Sequence, residues 1–304
     1  MKPDLEVRLG KLKLKNPVIV ASGTFGYGEE FYGLAKLKDL GAVVTKTITL
    51  RPKEGNVPPR IVETPAGMLN SIGLENPGLK VFLKEKLPGL RKIKTPIIVS
   101  ISADSDAEFA ELVKNLDKSD VAAIELNLSC PNLKSKIMVA QDAQATYRVI
   151  SCVRHLTNKT LIAKLSPNVT DIKVIARQAE KAGADAVSLI NTLVGLAVDI
   201  ENQRPKLGNI TGGLSGPAIK PIALRMVWEV FNAVKIPIIG MGGIMNTRDG
   251  LEFFICGASA IAVGTGNFVQ PGLTAEVISG IKRYLQKSGI KEIKKLIGSL
   301  KCTT

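Results

Sequence analysis

Apolar and polar positions follow two periods along the chain, and the two alternate. Short runs rich in β-branched and other apolar residues occur at 17–21, 42–46, 96–101, 122–128, 160–165, 185–190, 236–240 and 259–263, which makes eight strands. The segments between them are spaced as helices. Ile172, Ile175, Ala176 and Ala179 fall at i, i+3, i+4 and i+7, with Thr170 or Asp171 as a cap and Gly183 as a stop. Ahead of the first run, Leu5, Val7 and Leu9, then Leu12 and Leu14, alternate around Gly10-Lys11, the pattern of a small hairpin.

A helix end followed by Gly-Ala and a strand recurs at Gly41-Ala42, Gly183-Ala184 and Gly257-Ala258. One repeated α/β crossover with eight strands predicts a (β/α)8 barrel, an α/β TIM barrel, as a single domain over 1–304. The competing open doubly wound sheet has less support, because no G-x-G-x-x-G follows the first strand. Two stretches interrupt the rhythm, 49–76 and 193–216. Both follow strands, so they are expected as insertions over the carboxyl-end face, where barrels carry their chemistry.

Composition narrows the picture. Hydrophobic residues make up 45% of the chain, enough to fill one large core, and the longest apolar runs are too short to span a bilayer, so no membrane association is expected. The start, Met1-Lys2-Pro3-Asp4, lacks the pattern of a secretory signal, and the four cysteines, Cys130, Cys152, Cys256 and Cys302, form no C-x-x-C pair. Reduced thiols and a cytoplasmic location are the expectation. The net charge of +14 is spread over separate segments and aromatic residues are only 4%, which reads as a solvated basic surface rather than a nucleic-acid groove.

The carboxyl ends of the eight runs carry Ser22-Gly23, Lys46-Thr47, Ser100 and Ser102, Asn127 with Cys130, Lys164, Asn191-Thr192, Gly242-Gly243 and Gly264-Thr265. Two lysines ending apolar strands need an anionic partner, because an unpaired buried charge is costly. Glycine pairs after strands seven and eight stand where barrels bind phosphate with backbone N–H groups. Asn70, Asn127, Asn132 and Asn191 would supply paired donors and acceptors for a planar polar ligand. Cys130 by residue type alone reads as packing, but its place beside Asn127, Asn132 and the lysines favours chemistry. A thiol nucleophile would want a histidine, and His155, the one histidine, lies in the helical stretch behind the expected face. A thiolate acting as general base remains. Cys152, Cys256 and Cys302 fall on helical or tail positions and read as packing or surface residues.

Several stretches together carry a resemblance over nearly the whole chain: Asn56-Val-Pro-Pro-Arg60, Gly67-Met-Leu-Asn-Ser-Ile-Gly-Leu-Glu-Asn-Pro-Gly78, Asn127-Leu-Ser-Cys-Pro-Asn132, Ile190-Asn-Thr-Leu193 and Gly212-Gly-Leu-Ser-Gly-Pro-Ala-Ile-Lys-Pro221. In these the chain resembles class 1 dihydroorotate dehydrogenases, and among them the class 1B catalytic subunits. The resemblance implies an FMN-dependent oxidoreductase, with one FMN per chain, that oxidises dihydroorotate to orotate in de novo pyrimidine biosynthesis. It implies Cys130 as the base that removes the C5 proton while hydride leaves C6. Lys46, Asn70, Ser71, Ile72, Gly73, Leu74, Asn127, Asn191 and Thr192 would bind the substrate. Ser22, Lys46, Thr47, Ser100, Asn127, Lys164, Ile190, Gly216, Gly242, Gly243, Gly264 and Thr265 would bind FMN, the last four around its phosphate. The resemblance also implies a homodimer core within a heterotetramer, whose second subunit carries FAD and a [2Fe-2S] cluster and passes electrons to NAD⁺. Two features depart from the family pattern. Ser100 stands where an asparagine is usual, and 133–141 has no glycine. Two alternatives are a tRNA dihydrouridine synthase-like flavoenzyme and a barrel that serves as a non-catalytic scaffold.

Overall fold

The structure, a computed structural model, describes residues 3–29, 37–129 and 138–301. Eight parallel strands, Val18–Val20, Ala42–Val44, Ile97–Ile101, Ala123–Asn127, Thr160–Lys164, Ala186–Leu189, Ile238–Met241 and Ala260–Val263, close into a barrel in sequence order. The eighth pairs with the first, Val263 opposite Val20. Each strand coincides with one of the eight apolar runs to within two residues at either end. Alternation assigns the faces. Ile124 and Leu126 point outward toward the helices, while Glu125 and Asn127 point to the barrel axis, and Asn127 pairs in register with Lys164.

The outer layer is helical because its segments are amphipathic and capped. The helix Ile172–Lys181 buries Ile172, Ile175, Ala176 and Ala179, and the Asp171 carboxylate accepts the Lys173 N–H at 2.9 Å. Asp106–Asp117 begins at Ser105, Ala143–Arg154 at Asp142 and Thr247–Ile255 at Asn246, each cap accepting a backbone N–H of the first turn. The chain turns out of Ile172–Lys181 through Gly183 at φ +94°, a left-handed conformation that favours glycine. Among the described residues no helix is long and apolar enough to cross a membrane.

The amino-terminal hairpin, Val7–Leu9 paired with Leu12–Leu14, closes the amino end of the barrel. Its Leu12 N–H donates to Thr160 Oγ1 at 3.0 Å, and Thr160 Oγ1 donates to Leu9 O at 3.2 Å. Beside it, Arg154 donates to the Asp185 carboxylate at 2.7 Å and to the carbonyls of Gly183, Thr157 and Lys159. Arg154→Ala strips four acceptors of their donor at once, and the expected outcome is a loss of about 2–3 kcal/mol in unfolding free energy. Urea unfolding measures it, and turnover per folded molecule should not change, because the network lies at the end of the barrel opposite the site.

The two insertions lie over the carboxyl-end face, as expected, and there they build one antiparallel sheet, in the order Leu193–Gly195, Gly212–Ser215, Gly67–Asn70, Ile61–Thr64. Gly213 pairs with Asn70 and Leu214 with Leu69, so chain segments far apart in sequence form a common roof.

Candidate active site

A cavity of about 770 Å³ lies between the barrel's carboxyl ends and this roof. That is toward the upper end of small-molecule sites and leaves room for a cofactor beside a ring-sized substrate. From the barrel side it is lined by Ser22, Lys46, Thr47, Asn127, Lys164, Ile190, Asn191, Thr192, Gly242, Gly243, Gly264 and Thr265, and from the insertions by Asn70, Ser71, Ile72, Gly73, Leu74 and Gly216. Of the candidate site residues named from the sequence, the described ones all line this cavity except Ser100 and Ser102. Cys130 and Asn132 lie outside the described residues. Ser100 is fully buried, does not reach the cavity, and touches it only through Thr47.

The polar side chains hold one another in place. Thr47 Oγ1 is 3.0 Å from both Ser22 Oγ and Ser100 Oγ, and accepts from Asn127 Nδ2 at 3.2 Å. This fixes the Asn127 amide so that its Oδ1 accepts the Ser129 N–H at 3.3 Å and meets Asn191 Nδ2 at 3.5 Å. Asn191 donates in turn to Ser129 Oγ at 2.8 Å, and its Oδ1 accepts the Thr192 N–H at 2.8 Å. On the roof, Asn56 Nδ2 donates to Ser71 Oγ at 2.8 Å, and Asn70 Nδ2 to Gly213 O at 3.2 Å. Gly213 allows the roof to close down, since a Cβ there would lie 2.1 Å from Thr192 Oγ1.

The lysines are the electrostatic centre. Lys164 is only 6% exposed, yet among the described residues neither its ammonium nor that of Lys46 has a hydrogen-bond or ion-pair partner. A buried cation left in this way calls for an anionic or strongly accepting ligand. One pleat below Asn127, Glu125 is 2% exposed; its Oε2 accepts from Ser188 Oγ at 2.9 Å and its Oε1 has no partner among the described residues.

The glycine loops fit a phosphate. Among the described residues no group accepts the N–H of Gly242, Gly243, Ile244, Gly264 or Thr265. Gly264 needs glycine neither for its φ nor for protein packing: a Cβ there would meet nothing closer than Ala21 Cβ at 3.6 Å, so what it keeps open is the cavity. Free amides, bare backbone and a buried cation are the donor set that a phosphorylated, electron-accepting planar cofactor such as FMN requires.

Some lining residues had not been singled out. Asn168 braces the Thr192 strand end, donating to Thr192 O at 3.0 Å and accepting the Val194 N–H at 3.0 Å. Lys53 and Asp104 pair at the rim, with Nζ 3.1 and 3.0 Å from the two carboxylate oxygens. The Ser166-Pro-Asn168 step just beyond strand five carried a signal for Asn168; nothing local marked Lys53 or Asp104. Of the remaining thiols, Cys152 and Cys256 are half-buried on helical positions, away from the cavity. Burial, helped by Glu252, pushes the Cys256 thiol up, which disfavours its thiolate. Cys302 lies outside the described residues.

The family model for dihydroorotate dehydrogenase matches residues 4–285. The chain is 54% identical over 301 residues to the catalytic subunit of dihydroorotate dehydrogenase B (NAD(+)) of Geotalea uraniireducens, covering 98% of this chain and 99% of that one. The corresponding subunit of Geotalea daltonii is 54% identical over 302 residues, covering 99% of each chain. That of Thermoanaerobacter pseudethanolicus is 53% identical over 299 residues, covering 98% of this chain and 99% of its own. With likeness running the length of the barrel, hairpin and roof included, the chain belongs to the dihydroorotate dehydrogenase family.

Proposed function

We propose that the chain is the catalytic subunit of a class 1B dihydroorotate dehydrogenase, an oxidoreductase that converts dihydroorotate to orotate in pyrimidine biosynthesis. The observation that carries this reading is the buried Lys164, without a partner among the described residues, facing the same cavity as Lys46, Asn70, Asn127 and Asn191. Neither a dihydrouridine synthase nor a scaffold is favoured by the family match.

The amides of Gly242, Gly243, Gly264 and Thr265 would hold the phosphate of FMN, which when bound would supply a hydride acceptor for substrate C6. Ser22, Thr47, Ile190 and Gly216 line its bed. Ser100 serves that bed at one remove, by fixing the Thr47 hydroxyl. Lys46 takes the substrate carboxylate, while Asn70, Asn127, Asn191 and Thr192 grip the ring amides and carbonyls. Their mutual hydrogen bonds pre-set these directions, so little ordering is left to the moment of binding. Ser71, Ile72, Gly73 and Leu74 cover the ring from the roof and exclude water. The Cys130 thiolate takes the C5 proton. One proton and one hydride leave the substrate, and the C5–C6 double bond forms.

Electrons then leave through a partner, in keeping with the relatives' name, catalytic subunit of an NAD(+) enzyme. The reading is a homodimer of this chain within a heterotetramer, with FAD and [2Fe-2S] on the second subunit, in the cytoplasm. Anaerobic addition of dihydroorotate to the purified yellow chain is expected to bleach its visible flavin band with one equivalent of orotate formed. A chain that takes up no FMN, or a band that persists in excess dihydroorotate, overturns the proposal.

A further inference from the structure

Lys220 stands in the 212–221 stretch but has no place in the reaction, and its position is electrostatically unfavourable. It is the first residue of the helix Lys220–Phe231, where the positive end of the helix dipole disfavours a cation. Two acids hold it there. Its ammonium lies 2.6 Å from Asp249 Oδ1 and 2.8 Å from Glu252 Oε2. Burial works against the charge, but the hydrogen bonds to Asp249 and Glu252 prevail and raise the lysine above its ordinary value.

Asp249 is the reason this pairing matters. It is 7% exposed, and its Oδ2 accepts the N–H groups of Met245 and Asn246 at 2.8 and 3.1 Å. Those two amides are thereby turned back toward the protein, while the preceding amides of Gly242, Gly243 and Ile244 have no acceptor among the described residues and stand beside the cavity. The same carboxylate that shapes the loop would, unscreened, repel an anion bound there. Lys220 also ties this loop to the turn at Gly216. A Cβ on Gly243 would lie 2.7 Å from Lys220 Cβ and 2.9 Å from Gly216 O, so the three backbones are packed together.

We infer that Lys220 is a positioning residue for the phosphate end of the cofactor: it neutralises Asp249, so that the carboxylate can fold the 242–246 loop without repelling the phosphate. This rests on the proposed FMN site and adds to it a residue that touches neither cofactor nor substrate. A charge effect of this kind should act on the phosphate alone, whereas a general loss of structure would act on the whole ligand.

The test is the affinity of the full chain, freed of flavin, for FMN and for riboflavin, which lacks the phosphate, each followed by quenching of ligand fluorescence. Lys220→Met is expected to weaken FMN by about tenfold or more and to leave riboflavin unchanged, which also shows that the barrel is intact. Adding Asp249→Asn to Lys220→Met should restore FMN, because the asparagine carbonyl still accepts from Met245 and Asn246 but carries no charge. Equal weakening of both ligands, or a double variant no better than the single one, overturns the inference. If the unaltered chain binds riboflavin as tightly as FMN, the phosphate site itself is misplaced, a failure of the underlying proposal rather than of Lys220.

Discussion

Cys130→Ala is expected to slow bleaching of the bound flavin by dihydroorotate by about 10²–10⁴-fold, with FMN content and dihydroorotate affinity retained. The residue before it, Ser129, lines the cavity and accepts a hydrogen bond from Asn191 at 2.8 Å, which brings the chain at this point to the amides proposed to hold the substrate. The side chain has one task in the proposed chemistry, to accept the C5 proton, so its loss should fall on the rate constant and not on binding. Cys130→Ser should keep a residue of activity with its pH profile displaced upward, because a hydroxyl ionises less readily than a thiol. Stopped-flow reduction across pH separates these cases. If Cys130→Ala bleaches at the normal rate, the base is another cavity group, Lys46 and the rim Asp104 being the candidates within reach of the same space.

The barrel was legible in the sequence because its strands are buried on both sides and its helices on one. Runs such as 160–165 and the spacing Ile172, Ile175, Ala176, Ala179 report those two environments directly. The floor of the candidate site followed, since barrel topology alone places Lys46, Asn127 and Lys164 at strand ends. The roof did not follow. Its strands are three or four residues long, include Gly67, Gly195, Gly212 and Gly213, and gain their pairing only when two insertions meet across the barrel mouth. No local period records such a meeting. Depth was equally hidden. Alternation assigns Ser100 to the barrel interior, but whether its hydroxyl faces the ligand or the back of Thr47 depends on the neighbouring strand's register. The loop residues Lys53, Asn56 and Asn168 reach the cavity by the path of the backbone, which their identities do not encode. The family resemblance supplied roles for single residues, and the structure then showed which of them share one space.

Lys164→Met carries the second large effect, and it differs in kind from that of Cys130. In the proposed chemistry Lys164 touches no proton that moves; what it would offer is a positive charge, on a side chain 6% exposed and without a partner among the described residues. At an effective dielectric near 20, a unit charge about 4 Å away is worth about 4 kcal/mol. That stabilisation is available only when negative charge arrives with the transferred electrons, so it favours the transition state and product over the starting state. Methionine keeps the length and apolar stem but not the charge, and Glu125 remains in the same barrel interior with one carboxylate oxygen unpartnered among the described residues. The expected outcome is a fall of about 10²–10³ in the rate constant for flavin bleaching together with a lower midpoint potential of the bound flavin. Dye equilibration measures the potential and stopped-flow the rate. FMN should stay bound, because the amides of Gly242, Gly243, Gly264 and Thr265 are untouched. Lys164→Arg keeps the charge in a larger, planar group and should recover the potential more fully than the rate, since charge acts over several ångströms while hydride transfer depends on fit. An unchanged potential in Lys164→Met would mean that the buried ammonium serves the fold or another ligand group, and would move the electrostatic role to Lys46, the other cavity cation without a partner among the described residues.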